Sequence, residues 1–138
     1  MAPTREVRAA FGNHTLRIYQ AFPPELARRA LDAQTFVKPF IRTRMTWIKP
    51  SFMWMMYRSG WGHKQGQEGI LAIDISRAGF DWALANSCLS SFDPSVHESV
   101  QAWKALLATT PVRIQWDPER TVSLEPRPWR TIQLGLAG

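Results

Sequence analysis

The alternation of apolar and polar positions divides the chain into short elements. Val7 to Phe11 and Thr15 to Phe22 are two runs separated by Gly12-Asn13-His14, a pattern that predicts a hairpin. In the second run Leu16, Ile18, Gln20 and Phe22 share one strand face, which leaves the amide of Gln20 in an apolar row. Pro23-Pro24 stops that strand, and Pro24 suits the first turn of a helix over about Glu25 to Ala33. Phe36 to Pro50, bracketed by Pro39 and Pro50, reads as irregular or extended. Ser51 then offers an N-cap for a helix over Phe52 to Ser59, ended by Gly60. Phe52 to Tyr57 would cover almost every side of it, so a buried helix is expected, with Arg58 the exception. Gly60 to Gly69 holds four glycines and no β-branched residue, the composition of a mobile loop.

Ile70 to Ser76 alternates as a strand, and Arg77 to Leu89 reads as a helix with Phe80, Leu84 and Cys88 on one buried stripe. Ser95-Val96-His97-Glu98 matches a capping box and predicts a helix to about Ala108. Val112 to Trp116 is a further strand; Asp117-Pro118-Glu119-Arg120 reads as a turn after which Val122 to Leu124 pairs back. Trp129 to Leu136 alternates again, with Ile132, Leu134 and Leu136 opposite Thr131 and Gln133. These elements predict an α+β fold, a single compact domain with a mixed, mainly antiparallel sheet of five or six strands and three or four short helices.

Composition narrows the class. A chain of 138 residues that is 45% hydrophobic and 20% charged has the core-forming capacity of one domain, which excludes disorder. Its one cysteine excludes an internal disulfide. Arg5, Glu6 and Arg8 stand where a signal peptide needs an apolar core, and the longest charge-free stretch, Trp82 to Phe92, is too short to span a bilayer. A cytoplasmic location without a membrane partner is expected.

The charge distribution changes the picture further. The net charge is +6, and Ala33 to Gln67 carries no acidic residue but six basic ones, which account for the whole excess. The same 35 residues hold seven of the 16 aromatics. Within residues 38–64 the candidate ligand-binding set is Arg42, Arg44, Trp47, Lys49, Tyr57, Arg58 and Trp61. Guanidinium forks suit phosphate or carboxylate, and indole or phenol rings offer stacking plates for a base. If Arg42 to Pro50 is extended, Arg42, Arg44, Thr46 and Ile48 share one face and Met45, Trp47 and Lys49 the other. The alternative is a solvated cationic strand edge. Gln20 and Gln133 are weaker candidates, because a strand amide more often serves the structure.

Other chemistry is thin. Cys88 with His97 as base would make a nucleophile pair, but a thiol on an apolar stripe reads as core. His14, His63 and His97 lie far apart, so no metal is expected. Gly60-Trp61-Gly62 with Gly66 departs from the dinucleotide fingerprint in spacing, and no Gly-Lys-Ser/Thr occurs, so no cofactor is assigned. Asp117 and Glu119 are explained by turn chemistry before an acid–base pair. No residue is assigned a catalytic role.

Four segments carry a family resemblance: Thr15 to Phe22, Arg42 to Trp61, Val112 to Arg120 and Arg130 to Leu136. Together they resemble the DUF4291 family, a domain of unknown function, over nearly the whole chain. Family members run further past the Gly-Leu of the last segment, so the resemblance implies a missing C-terminal helix or strand after Gly138. A more distant similarity is to ADP-ribosyltransferases, small α+β proteins that hold a dinucleotide in a cleft. Those enzymes place His or Arg after an aromatic on the first strand, where Gln20 follows Tyr19 here, and Glu on the last catalytic strand, where the nearest candidate here is Gln133; both positions depart from the pattern. Three functions remain open: a domain binding a phosphate-bearing ligand, either nucleotide or nucleic acid; an enzyme on a nucleotide substrate with the 60–69 loop as lid; and a non-catalytic protein-interaction module.

Overall fold

The computed structural model describes residues 5–136. Six strands and four helices follow the chain as β1 (Thr15–Phe22), α1 (Pro24–Ala33), β2 (Thr46–Ile48), α2 (Phe52–Ser59), β3 (Gly69–Ser76), α3 (Arg77–Ala85), β4 (Ser87–Leu89), α4 (Val100–Thr109), β5 (Val112–Arg120) and β6 (Pro126–Leu136). They form the expected α+β fold, but in two sheets rather than one: a β1-β3 pair and a four-stranded β2-β6-β5-β4 sheet. All pairings are antiparallel except β4 with β5, which α4 connects. The expected C-terminal shortening concerns chain past Leu136 and lies outside the described residues.

The sheets enclose one apolar core. Leu16 and Ile18 of β1 meet Ile48, Val112, Ile132 and Leu134 of the larger sheet, and Phe80 and Ala83 of α3 close the end. Strand alternation decides this: Leu16 and Ile18 of β1 and Ile132 and Leu134 of β6, each pair two residues apart, turn inward. Gln20 occupies the inward row of β1 and is only 3% exposed. Its Nε2 donates to Thr46 Oγ1 at 2.6 Å and to the Trp47 carbonyl at 3.3 Å, which ties the two sheets together. The backbone adds a second tie, Tyr19 N–H to the Lys49 carbonyl at 2.7 Å.

Several local expectations are corrected. The partner of β1 is β3, Thr15↔Ser76 to Phe22↔Gly69; the 7–11 run contributes only a single bridge, Phe11↔Leu16. The helix expected to reach Leu89 ends at Ala85, where Asn86 caps it by donating from its backbone and side-chain nitrogens to the Trp82 carbonyl. Cys88 is therefore on β4; the thiol is buried as expected, but by sheet packing rather than a helical stripe, and burial pushes it upward in pKa. The last helix starts at Val100 with Ser99 as N-cap, because Ser95 is engaged with the Asp93 carboxylate instead. Asp117 to Arg120 is not a turn. β5 runs through Pro118 with a register shift between Pro118 and Arg120, a bulge that accommodates the missing N–H, and residues 121–125 make the turn.

At one position a backbone approach admits only glycine. A Cβ on Gly69 would lie 2.5 Å from the Ala27 methyl of α1 and 3.0 Å from the Phe22 carbonyl. Gly69→Ala must push α1 off the sheet, with an expected loss of roughly 1–3 kcal/mol. Thermal unfolding checks it: an unchanged melting temperature would mean that α1 is not seated on β3.

Candidate functional site

The larger sheet has a second face. With Ile132 and Leu134 inward, Thr131, Gln133 and Gly135 of β6 and Gln115 and Asp117 of β5 point the other way, in the registers Arg113↔Gly135, Gln115↔Gln133 and Asp117↔Thr131. β2 adds Trp47 opposite Gly135, and Lys49 follows on the same side. Gly135 leaves room for the indole of Trp47 against the strand: an added Cβ would sit 3.0 Å from Trp47 Cζ2. Helix α2 covers one flank of this face and supplies Met55 and Arg58; Gln67 arrives from the loop after it. Together these groups line an open cleft of about 390 Å³. Three other grooves have similar volume, so chemistry rather than size distinguishes this one.

The start of α2 is fixed by one hydroxyl. Ser51 Oγ accepts from Trp54 N–H at 3.0 Å and donates to Glu119 Oε1 at 2.6 Å, which docks the helix against β5. At the other end Gly60 takes φ +59°, and the N–H groups of Gly60 and Trp61 and the Ser59 hydroxyl meet the carbonyls of Tyr57, Met56 and Met55. The terminal carbonyls are thus satisfied without Arg58. Its guanidinium is exposed at the cleft mouth and meets no hydrogen-bond or ion-pair partner among the described residues. Arg58 is the expected exception to burial, but the otherwise buried helix is corrected: Trp54, Met55 and Ser59 are buried, whereas Phe52 and Tyr57 are 43% and 40% exposed.

Lys49 lies deeper. Ile48 and Pro50 on either side are buried, so its backbone is held rigidly. The ammonium donates to the Trp47 carbonyl at 2.8 Å and lies 5.9 Å from the Trp54 ring centroid, with no carboxylate at ion-pair distance among the described residues. Burial, and then the neighbouring charge of Arg58, pushes Lys49 down from its ordinary 10.5 to about 8; Asp117 opposes this in part.

Asp117 is held by two amides. Gln133 Nε2 donates to Oδ2 at 2.6 Å and Gln115 Nε2 to Oδ1 at 3.1 Å. A carboxylate only accepts, so both amides must turn their Nε2 toward it and their Oε1 away. Neither Oε1 meets a donor among the described residues, and both side chains line the cleft. The wall therefore offers two carbonyl acceptors beside two cations.

The sequence-derived candidates divide here. Trp47, Lys49, Arg58 and Gln133 converge; Gln20 sits behind them as a buried tie between the sheets. Arg42 and Arg44 do not join, because the extended strand is confined to Thr46–Ile48 and the chain before it turns. Arg42 donates to the Phe36 carbonyl at 3.1 Å, and Arg44 lines a separate groove with Phe22, Glu25 and Phe40. Tyr57 is covered by the Arg120 guanidinium, 3.7 Å from its ring centroid, and Trp61 lies exposed in the 60–69 loop. That loop is laced by backbone hydrogen bonds, Lys64 to Ser59 and Gln67 to Lys64 among them. Gln67 and Gln115 were not singled out in the sequence, and Met55 reads there as packing alone. The alternation of Arg113, Gln115 and Asp117 against Val112, Ile114 and Trp116 was the available signal.

Among the described residues no helix is long and apolar enough to cross a membrane, and no group of three or more His, Cys, Asp or Glu is gathered where a metal ion could be held. Fold and site together define an α+β domain with a cationic, amide-walled cleft between a short helix and the outer face of a sheet. The chain belongs to the family described as a domain of unknown function, DUF4291, whose model matches residues 6–138. No curated protein and no solved structure matches it.

Proposed function

We propose that this domain binds a small phosphate-bearing molecule, of the size and polarity of a nucleotide, in the cleft between α2 and the β5-β6 face. The observation that carries the reading is the convergence of Lys49 and Arg58 on one cleft where, among the described residues, neither has a carboxylate partner at ion-pair distance. A charge-assisted fork from Arg58 suits a phosphate at the mouth. The Trp47 ring and the Oε1 atoms of Gln115 and Gln133 then suit a donor-bearing base or sugar further in. A nucleic-acid track is less well supported. It needs cations and stacking rings in line along a groove, whereas Arg42, Arg44, Tyr57 and Trp61 lie apart from the cleft.

Thermal shift across inorganic phosphate, nucleoside phosphates, sugar phosphates and short RNA tests this. Nucleoside or sugar phosphates should raise the melting temperature and Arg58→Lys should weaken their binding by about 1–3 kcal/mol, since an ammonium cannot reproduce the fork. The ligand-free Arg58→Lys protein should melt like the wild type, because Arg58 makes no hydrogen bond or ion pair among the described residues. Shifts by RNA alone, or unchanged affinity in the variant, would move the ligand out of this cleft.

A further inference from the structure

Lys49 does more than add charge to the cleft, and its surroundings differ from those of every other lysine. Lys38, Lys64 and Lys104 are exposed to water. Lys49 is half-buried, with its flanking residues fixed, a single acceptor at the Trp47 carbonyl, the Trp54 ring beside it and a second cation, Arg58, across the cleft. Among the described residues Asp117 is the one carboxylate whose charge bears on it, and that carboxylate is already engaged by two amides. An amine kept beside another cation and away from a neutralising partner is the arrangement that makes lysine a nucleophile. We infer that Lys49 forms an imine with the carbonyl carbon of an anionic aldehyde or ketone whose phosphate rests on Arg58.

The step needs no oxidant and no cofactor. The lone pair of neutral Lys49 Nζ forms a bond to the carbonyl carbon while the C=O π pair moves to oxygen. The nitrogen releases one proton, the oxygen takes up that proton and one from solvent and leaves as water, and the C=N bond closes with one proton kept on nitrogen. Hydrolysis reverses the sequence. With its pKa at about 8, roughly a tenth of Lys49 is neutral at neutral pH, ready to attack. The phosphate on Arg58 then stabilises the protonated imine by charge. Arg58 from α2 and Asp117 from β5 are the charged groups facing Lys49, with opposite effects on its proton. The chemistry rests on Lys49 alone, whereas the choice of an anionic carbonyl compound rests on the cleft reading above.

Reductive trapping separates the two. The wild-type protein is incubated at neutral pH with cyanoborohydride and either acetaldehyde, which is neutral, or pyridoxal phosphate, an aldehyde bearing a phosphate. The modified lysines are then located by peptide mass mapping. Lys49 should take at least about ten-fold more acetaldehyde label than Lys38, Lys64 or Lys104, and a Lys49→Arg protein should lose that excess. Labelling of Lys49 no faster than the exposed lysines would overturn the inference whatever the cleft binds. The anion reading is scored independently: inorganic phosphate should suppress Lys49 labelling by pyridoxal phosphate far more than labelling by acetaldehyde, which it slows only by favouring the ammonium. Preferential acetaldehyde labelling without phosphate competition would keep the amine chemistry and remove the phosphate subsite.

Discussion

Met55→Ala should lose about 2–5 kcal/mol in urea unfolding, and Trp54→Ala about 3–5 kcal/mol, while Phe52→Ala on the same helix should lose far less. Met55 and Trp54 are 2% and 6% exposed, whereas Phe52 is 43% exposed. Truncating a side chain with so little contact with water removes its transfer free energy and leaves a cavity that the rigid neighbourhood closes only in part. Here the neighbourhood is rigid for identifiable reasons. Ser51 caps the helix and ties it to Glu119, and the buried Ser59 hydroxyl donates to the Met55 carbonyl. Met55 also lines the cleft, so its loss should weaken phosphate-ligand binding as well as stability. Equal costs for Met55→Ala and Phe52→Ala would refute the one-sided burial of α2.

That one-sidedness marks the limit of what the sequence made legible. Ser51 and Gly60 bounded α2 correctly because capping chemistry is local. The apolar run between them could not say which side meets the protein, since contacts with β1 and β5 decide it. The same division runs through the fold. β1, α1 and β3 were readable from alternation and proline placement, while β4 was absorbed into the preceding helix because Ser87-Cys88-Leu89 is too short to show a period. Ser95 was mistaken for the cap that Ser99 provides, since Asp93 competes for the first hydroxyl. For the site, the acid-free window pointed to Lys49 and Arg58. It could not point to Gln115 or place it beside Gln133, a weaker candidate, because their adjacency depends on β5 continuing past a proline and pairing with a strand beyond the turn.

The tie between fold and chemistry can be measured on Lys49 itself. Lys49→Met should be more stable, relative to wild type, at neutral pH than at high pH, the difference shrinking by on the order of 3 kcal/mol between the two. The sign follows from where the proton sits. Folded Lys49 releases its proton near 8 and unfolded Lys49 near 10.5, so between those values the unfolded chain binds more protons. Wild-type stability from this group therefore rises with pH across that window, is complete above 10.5, and is lost as pH falls through 8. Below 8 the fold carries a desolvated ammonium beside Arg58, a cost that methionine removes while filling the same space beside Trp54. The Trp47 carbonyl keeps an acceptor's partner in the variant, because Gln20 Nε2 also donates to it at 3.3 Å. Every other titrating group is common to both proteins and cancels in the difference. Paired urea melts at neutral pH and above pH 10.5 give the result directly. A difference that does not change with pH would mean that Lys49 is hydrated like the exposed lysines, and its special reactivity would fall with it. A phosphate ligand adds a second check of the same linkage. It favours the ammonium, so binding should take up protons near pH 8 and weaken as pH rises beyond it.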